Sequence, residues 1–178
     1  MMILILMKKN DHDVPAFPEQ PVVPLEEADT GDFILFGRYP QNENPEDRQS
    51  ITWRVLEKKD NRLLVISECG LDCLPYQEEF EEVVWGNCTL RKWLNDDFLH
   101  QAFSVEELAM IPSVTVNADE NPENSTDPGN PTEDKEFLLS IPEAERYFKD
   151  DRDRLCRPTE YATGKGCDTV GEKCSWWL

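Results

Sequence analysis

The sequence predicts an α+β domain: an antiparallel β-sheet with two or three short helices. Three observations carry this. Apolar residues recur with period two early in the chain, then with helical spacing behind capping residues, and a short apolar run precedes one further capped helix. Strands and helices that come in blocks, without strict alternation, argue against a βαβ parallel sheet.

Asp32 to Arg38 and Ile51 to Lys58 read as strands. In the second, Ile51, Trp53 and Val55 alternate with Thr52 and Arg54, and Leu56 breaks the alternation. Arg62 to Ser67 is a third strand. The link Lys59-Asp60-Asn61 supplies residues that tolerate positive φ, so the second and third strands are expected to form an antiparallel hairpin. From Thr89 to Gln101, Leu90, Trp93, Leu94 and Phe98 fall on one helical face, with Asn87 or Cys88 just outside the first turn. Ser104-Val105-Glu106-Glu107 is a capping box, in which the serine oxygen takes the N3 amide and Glu107 reaches back; the helix it opens ends before Pro112. Ser140-Ile141-Pro142-Glu143 repeats the device, following a strand expected over Lys135 to Leu139 and opening a helix through Phe148. Irregular chain is expected from there to the closing aromatics.

Charge excludes several partners. The 18 Lys and Arg face 37 Asp and Glu, and a net charge of -19 repels phosphate backbones and anionic headgroups, so neither nucleic acid nor a membrane is an expected partner. Met1 to Met7 is apolar but short, precedes Lys8 and Lys9, and lacks a small-residue cleavage site. It fits neither a signal peptide nor a membrane span, and a cytoplasmic chain is expected. Pro15, Pro18, Pro21 and Pro24 recur every third residue, the repeat of a polyproline helix, so residues 1–30 read as an N-terminal segment and Pro-rich linker ahead of a single domain over 31–178. From Asn117 to Glu136, seven acids (Asp119, Glu120, Glu123, Asp127, Glu133, Asp134, Glu136) accompany the single cation Lys135, which predicts a long exposed loop.

No reaction centre assembles from motifs. Cys69, Cys73, Cys88, Cys156, Cys167 and Cys174 include no pair at zinc-ligand spacing, and His12 and His100 lie far from them in sequence, so buried or half-buried thiols are expected and no metal or cofactor. His100, near the end of its helix, has no Ser and Asp partners to make a triad. Asp119, Asn121 and Glu123 alternate like calcium ligands, but Asn124 stands where an EF-hand needs glycine and no bidentate Glu follows. Trp53 and Trp93 fall on apolar faces and read as core. Trp85 lies between an acidic run and Gly86, where its ring can stack on a sugar or peptide or serve as a lid over the core. Arg91 and Asn95, one helical turn apart, either flank a ligand groove or form a hydrated surface pair. With Tyr161 and Trp176 they make the candidate ligand-binding set; no residue is assigned a catalytic role.

Several blocks in order carry a resemblance: Gly31-Asp32-Phe33-Ile34, Phe36-Gly37-Arg38-Tyr39-Pro40-Gln41, Ile51-Thr52-Trp53-Arg54-Val55-Leu56, Leu71-Asp72 with Pro75-Tyr76, Trp85 with Leu90-Arg91-Lys92-Trp93-Leu94-Asn95, Asp134-Lys135 with Phe137-Leu138-Leu139-Ser140, Pro158-Thr159-Glu160-Tyr161-Ala162 and Ser175-Trp176-Trp177-Leu178. From Gly31 onward the chain resembles a bacterial, Firmicutes-type domain of unknown function, distantly similar to the C-type-lectin-like superfamily that includes formylglycine-generating enzymes. The resemblance implies a C-type-lectin-like fold. Members usually continue past the double Trp with Arg-Ser-Pro-Gly, so a C-terminally truncated domain is expected. The formylglycine-generating oxidases use a copper-binding cysteine pair; Cys167 and Cys174 are nearest by position, but no motif maps them. The expected function is a noncatalytic module binding a protein, peptide or glycan. The alternatives are an enzyme related to those oxidases and a truncated, nonfunctional or structural fragment.

Overall fold

The structure, a computed structural model, describes residues 21–118, 120, 126–167, 169–170 and 173–174. Its centre is an antiparallel sheet of β1 (Phe33–Pro40), β2 (Arg48–Lys59) and β3 (Arg62–Ser67), in that order. Lys59 pairs with Arg62, and Asp60 and Asn61 between them have φ of 49° and 58°, the left-handed pair that a two-residue hairpin needs. The register slips between Val55 and Glu57, and this bulge turns Leu56 inward, to 8 % exposure, where strict alternation would have exposed it. A second slip lies between Leu35 and Arg38, around Gly37 at φ 69°. A Cβ on Gly37 would sit 2.5 Å from the Phe103 ring and 2.9 Å from the Ala102 carbonyl, so its bare backbone is what lets the end of the first helix dock on β1.

The helix expected from Thr89 is present as α1 (Thr89–Trp93), a π-helical turn over Leu94–Phe98, and α2 (Leu99–Ala102). Cys88 is its N-cap, with Sγ accepting from the Arg91 amide at 3.3 Å. The wide turn resets the helical phase, so that Leu90, Leu94, Phe98, Leu99 and Ala102 are all buried. They meet Ile34, Tyr39, Ile51, Trp53 and Val55 of the sheet in one core. Phe98 lies 5.1 Å from Tyr39 and 5.9 Å from Phe103, ring centre to ring centre, and Trp53 donates its indole N–H to the Phe36 carbonyl at 2.7 Å. Both capping boxes form, at α3 (Val105–Met110) and α4 (Ile141–Tyr147), with Phe148 as the C-cap of the latter. Glu107 of the first also accepts the Gly37 amide at 3.0 Å, which fastens α3 to the β1 bulge.

Three expectations need correction. Lys135 to Leu139 is not a strand: the strand is β6 (Thr132–Asp134), paired antiparallel with β5 (Val114–Val116). The amides of Lys135 and Glu136 are taken by the side-chain oxygen of Asn95, at 2.8 and 3.3 Å, and Phe137, Leu138 and Leu139 enter the core as extended chain without a ladder. The acidic stretch is not wholly solvated either, since Asp134 and Glu136 are 1 % and 0 % exposed. Its members Asp119, Asn121, Glu123 and Asn124 lie outside the described residues. Third, the chain after Phe148 is regular: β7 (Arg157–Pro158) pairs parallel with β4 (Cys69–Gly70), α5 (Glu160–Gly164) follows Thr159 as N-cap, and β8 (Thr169–Val170) pairs with β9 (Lys173–Cys174). Elements this short present no periodicity to read.

Helices and predominantly antiparallel strands make this an α+β fold. The end of the Pro-rich segment packs on it, with Val22 bridged to Phe33 and Ala28 fully buried. Among the described residues no helix is long and apolar enough to cross a membrane.

Candidate functional site

Trp85, Arg91 and Asn95 come together around the strap from Thr132 to Glu136. Arg91 reaches Asp134 Oδ1 through Nε at 2.8 Å and Nη2 at 2.7 Å, and its Nη1 donates to the Gly86 carbonyl at 3.1 Å. Trp85 donates its indole N–H to Asp134 Oδ2 at 3.0 Å, and the Thr132 hydroxyl donates to the same oxygen. Asn95 donates to the carbonyls of Arg91 and Glu136 at 3.1 and 2.8 Å while accepting from the strap amides. A buried carboxylate is tolerable only with this density of donors and a cation. The three residues thus act on the domain's own backbone as a clamp.

Trp85, Arg91 and Asn95 do not line the open groove of about 1060 Å³ nearby, which they reach only through Lys135 of the strap. On one side stand Ile34 and Phe36 of β1 with Leu63 and Val65 of β3; on the other stand Met110 and Ile111 at the end of α3, Val114, Lys135 and Phe137. Lys135 closes the chain of supports: Asn95 holds its amide, and its ammonium donates to the carbonyls of Leu108 and Ile111 at 2.9 and 2.7 Å, capping the last turn of α3. Exposed Lys59 and Arg62 stand at the hairpin end. Met110 is 57 % exposed, and among the described residues β3 pairs with β2 alone, so its outer edge faces no strand.

Tyr161 lies in a different place. Its ring is 5.8 Å from that of Tyr39, and the Lys165 ammonium sits 4.6 Å from its centre. Lys165 donates to Asp72 Oδ2 at 2.9 Å, Tyr39 donates to the same oxygen at 2.6 Å, and Oδ1 takes the Cys73 amide at 2.7 Å. Burial and the neighbouring Asp72 charge push the Tyr39 phenol far above its ordinary range, so it stays a donor. Burial opposes the charge on Lys165, yet the bonds to Tyr161 and Asp72 prevail and raise its pKa. Trp176, the remaining candidate, lies outside the described residues.

The sulfurs are the feature that spacing did not reveal. All six cysteines are thiols, buried or half-buried. Cys156 and Cys174, 18 positions apart, face each other across an antiparallel bridge with their sulfurs 3.2 Å apart. Cys167 hydrogen-bonds both Cys174 and Cys73. Cys174 therefore meets both Cys156 and Cys167. Burial holds Cys69 up at about 11 and Cys167 at about 12. The bond from Cys156, then burial, push Cys174 higher still. Among the described residues no three His, Cys, Asp or Glu side chains converge as a metal-holding set.

No curated protein and no solved structure matches the chain. Residues 60–178, from the hairpin turn onward, match a family described as a domain of unknown function, DUF6273. The matched stretch contains the clamp, Asp72 with Lys165 and Tyr161, and all six thiols. Since it spans well over half of the chain, this protein belongs to the DUF6273 family of domains.

Proposed function

We propose that this domain is a noncatalytic protein-binding module that takes an extended apolar segment of a partner, flanked by acidic residues, in the groove between β3 and α3. The observation that carries the reading is the groove itself: about 1060 Å³, bounded by Ile34, Phe36, Leu63, Met110 and Phe137, and lined by β3, which among the described residues pairs only with β2. The Arg62–Leu64 end of β3, exposed to half-buried, offers main-chain hydrogen bonds to an added strand, and the apolar wall offers its side chains burial. Lys59 and Arg62 supply positive charge at the rim of a chain whose net charge is -19, which favours acid beside the apolar run. A glycan suits the site less well, because sugar sites present an open aromatic face and unspent polar groups. Trp85 is half-buried with its N–H given to Asp134, and Arg91 and Asn95 are spent on the strap. With this reading go a C-type-lectin-like lineage of bacterial origin, supported by the ordered sequence blocks from Gly31 onward, and a cytoplasmic location, supported by the charge flanking Met1 to Met7.

The test is fluorescence polarisation of the full chain against a set of labelled peptides with apolar centres and acidic or basic flanks. Micromolar binding of the acid-flanked set, weakened at least tenfold by Met110→Asp and by Arg62→Glu, is the expected result, about 1.4 kcal/mol or more for each. Binding that ignores both substitutions, or none to any peptide, removes the proposal.

A further inference from the structure

Four of the six sulfurs form an unbroken line from the surface inward. Cys73 is half-buried at the surface end, Cys167 contacts it and also Cys174, and Cys174 meets Cys156 at 3.2 Å. The inner two are 6 % and 1 % exposed. Directly opposed residues on antiparallel chains have Cα atoms about 4.5 to 5.5 Å apart, inside the roughly 4.4 to 6.8 Å that a disulfide spans. The backbone already fixes this register, since the Cys174 amide donates to the Cys156 carbonyl at 3.1 Å. The Cys174 sulfur is also confined on its far side: a Cβ added to Gly70 would lie 2.8 Å from it. At the outer end, burial and the neighbouring Asp72 charge leave the Cys73 thiol above its ordinary range, against the hydrogen bond with Cys167 and the Lys165 ammonium.

We propose that Cys73, Cys167, Cys174 and Cys156 form a thiol relay that carries oxidation from a small disulfide of the glutathione class to a buried Cys156–Cys174 disulfide. The chemistry balances as two-electron exchange. Cys73 gives its proton to solvent, and its thiolate attacks one sulfur of the oxidant, breaking that S–S bond and releasing one thiol. Cys167 attacks the Cys73 sulfur and releases the second thiol. Cys174 then attacks Cys167, returning Cys73 to the thiol, and Cys156 attacks Cys174, returning Cys167. One external disulfide becomes two thiols, and the protein loses two hydrogens as the inner bond forms. Because every transfer needs a thiolate, and burial raises the Cys73 and Cys167 thiols, exchange is slow near neutrality and accelerates with pH.

The full reduced chain, incubated with oxidised glutathione and mapped by mass spectrometry without reduction, tests this. The expected product is a Cys156–Cys174 crosslink, with a rise in Tm of about 6–12 °C reversed by dithiothreitol. Its rate should rise about tenfold between pH 7 and pH 8. Cys73→Ser and Cys167→Ser should each slow its appearance at least tenfold while the circular dichroism spectrum is unchanged. Cys156→Ser should trap Cys174 bonded to Cys167, and glutathione bonded directly to Cys174 would overturn the relay. No 156–174 crosslink in chain that keeps its native spectrum would overturn the inner pair. A crosslink forming as fast in both outer variants, or in Cys73→Ala and Cys167→Ala should serine disturb the fold, would overturn the relay.

Discussion

The sheet with its helices and the stretch from Arg152 to Cys174 are held together by different physics. In the first, Ile34, Ile51, Trp53 and Val55 meet Leu90, Leu94, Phe98 and Phe103, none more than 5 % exposed. In the second, the fully buried apolar side chains are small, Ala162 and Cys174, and directional bonds set the geometry. Thr159 caps α5 at 3.1 Å and donates its amide to the Gly70 carbonyl at 2.9 Å, while Lys165 anchors to Asp72. Burial is non-directional and shared, so it makes one cooperative unit; separate hydrogen bonds contribute about 1 kcal/mol each and can open singly. The second region should therefore open locally without unfolding the first.

The largest effect should come from the first region. Trp53→Ala removes a fully buried ring and its bond to Phe36, at a cost of about 3–5 kcal/mol, and urea unfolding should show the whole transition shifted as one. Arg91→Ala, which leaves the buried Asp134 carboxylate without its cation, should cost about 3 kcal/mol in the same assay. It should also weaken peptide binding in the groove, because the strap that carries Lys135 and Phe137 loses its anchor. A substitution as mild as Thr159→Ala sharpens the contrast. It removes a cap worth about 1 kcal/mol, and hydrogen exchange should quicken at 157–167 while the amides of β2 keep their rates. Equal acceleration in β2 would mean that the two regions unfold together.

The smallest effect is the response to acid. The Glu57 carboxyl is held below its ordinary value by the Tyr147 hydroxyl, and then by Arg146. Burial works against Glu107, but the amides of Ser104 and Gly37 outweigh it and hold its carboxyl low as well. Both groups have folded pKa values below the unfolded value near 4.5, so the stability they contribute is present above that pH and is lost as pH falls through the folded values. Tm should be nearly flat from neutrality to about pH 5 and fall below about pH 4.5. Glu107→Gln should make that fall shallower, and an unaltered slope would remove Glu107 from the account.

Legibility followed the same division. The turn at Asp60 and Asn61, the boxes at Ser104 and Ser140, and the helix through Leu90 and Phe98 were readable because each depends on residues within one or two turns of chain. Leu56 signalled the bulge by breaking an alternation. Phe137 to Leu139 misled, since an apolar run reports burial and says nothing about whether a neighbouring strand will pair with it. Arg91 and Asn95 could be singled out as polar residues on a helix, but their target Asp134, 43 positions from Arg91, was indistinguishable from the solvated acids around it. Tyr161 carried no sign of Lys165 and Asp72, and the thiol line joins residues up to 101 positions apart with no motif between them, from Cys73 to Cys174.

By itself the sequence determined the local conformations, the α+β class and the net charge of -19, because propensity, capping and alternation act between near neighbours and need no fold to be felt. Tertiary structure alone decided which acid is buried against Arg91, where the groove opens, and which sulfur meets which. Those contacts are set by how independent elements pack, and packing free energy depends on shape and distance across the core, neither of which is written at any one position.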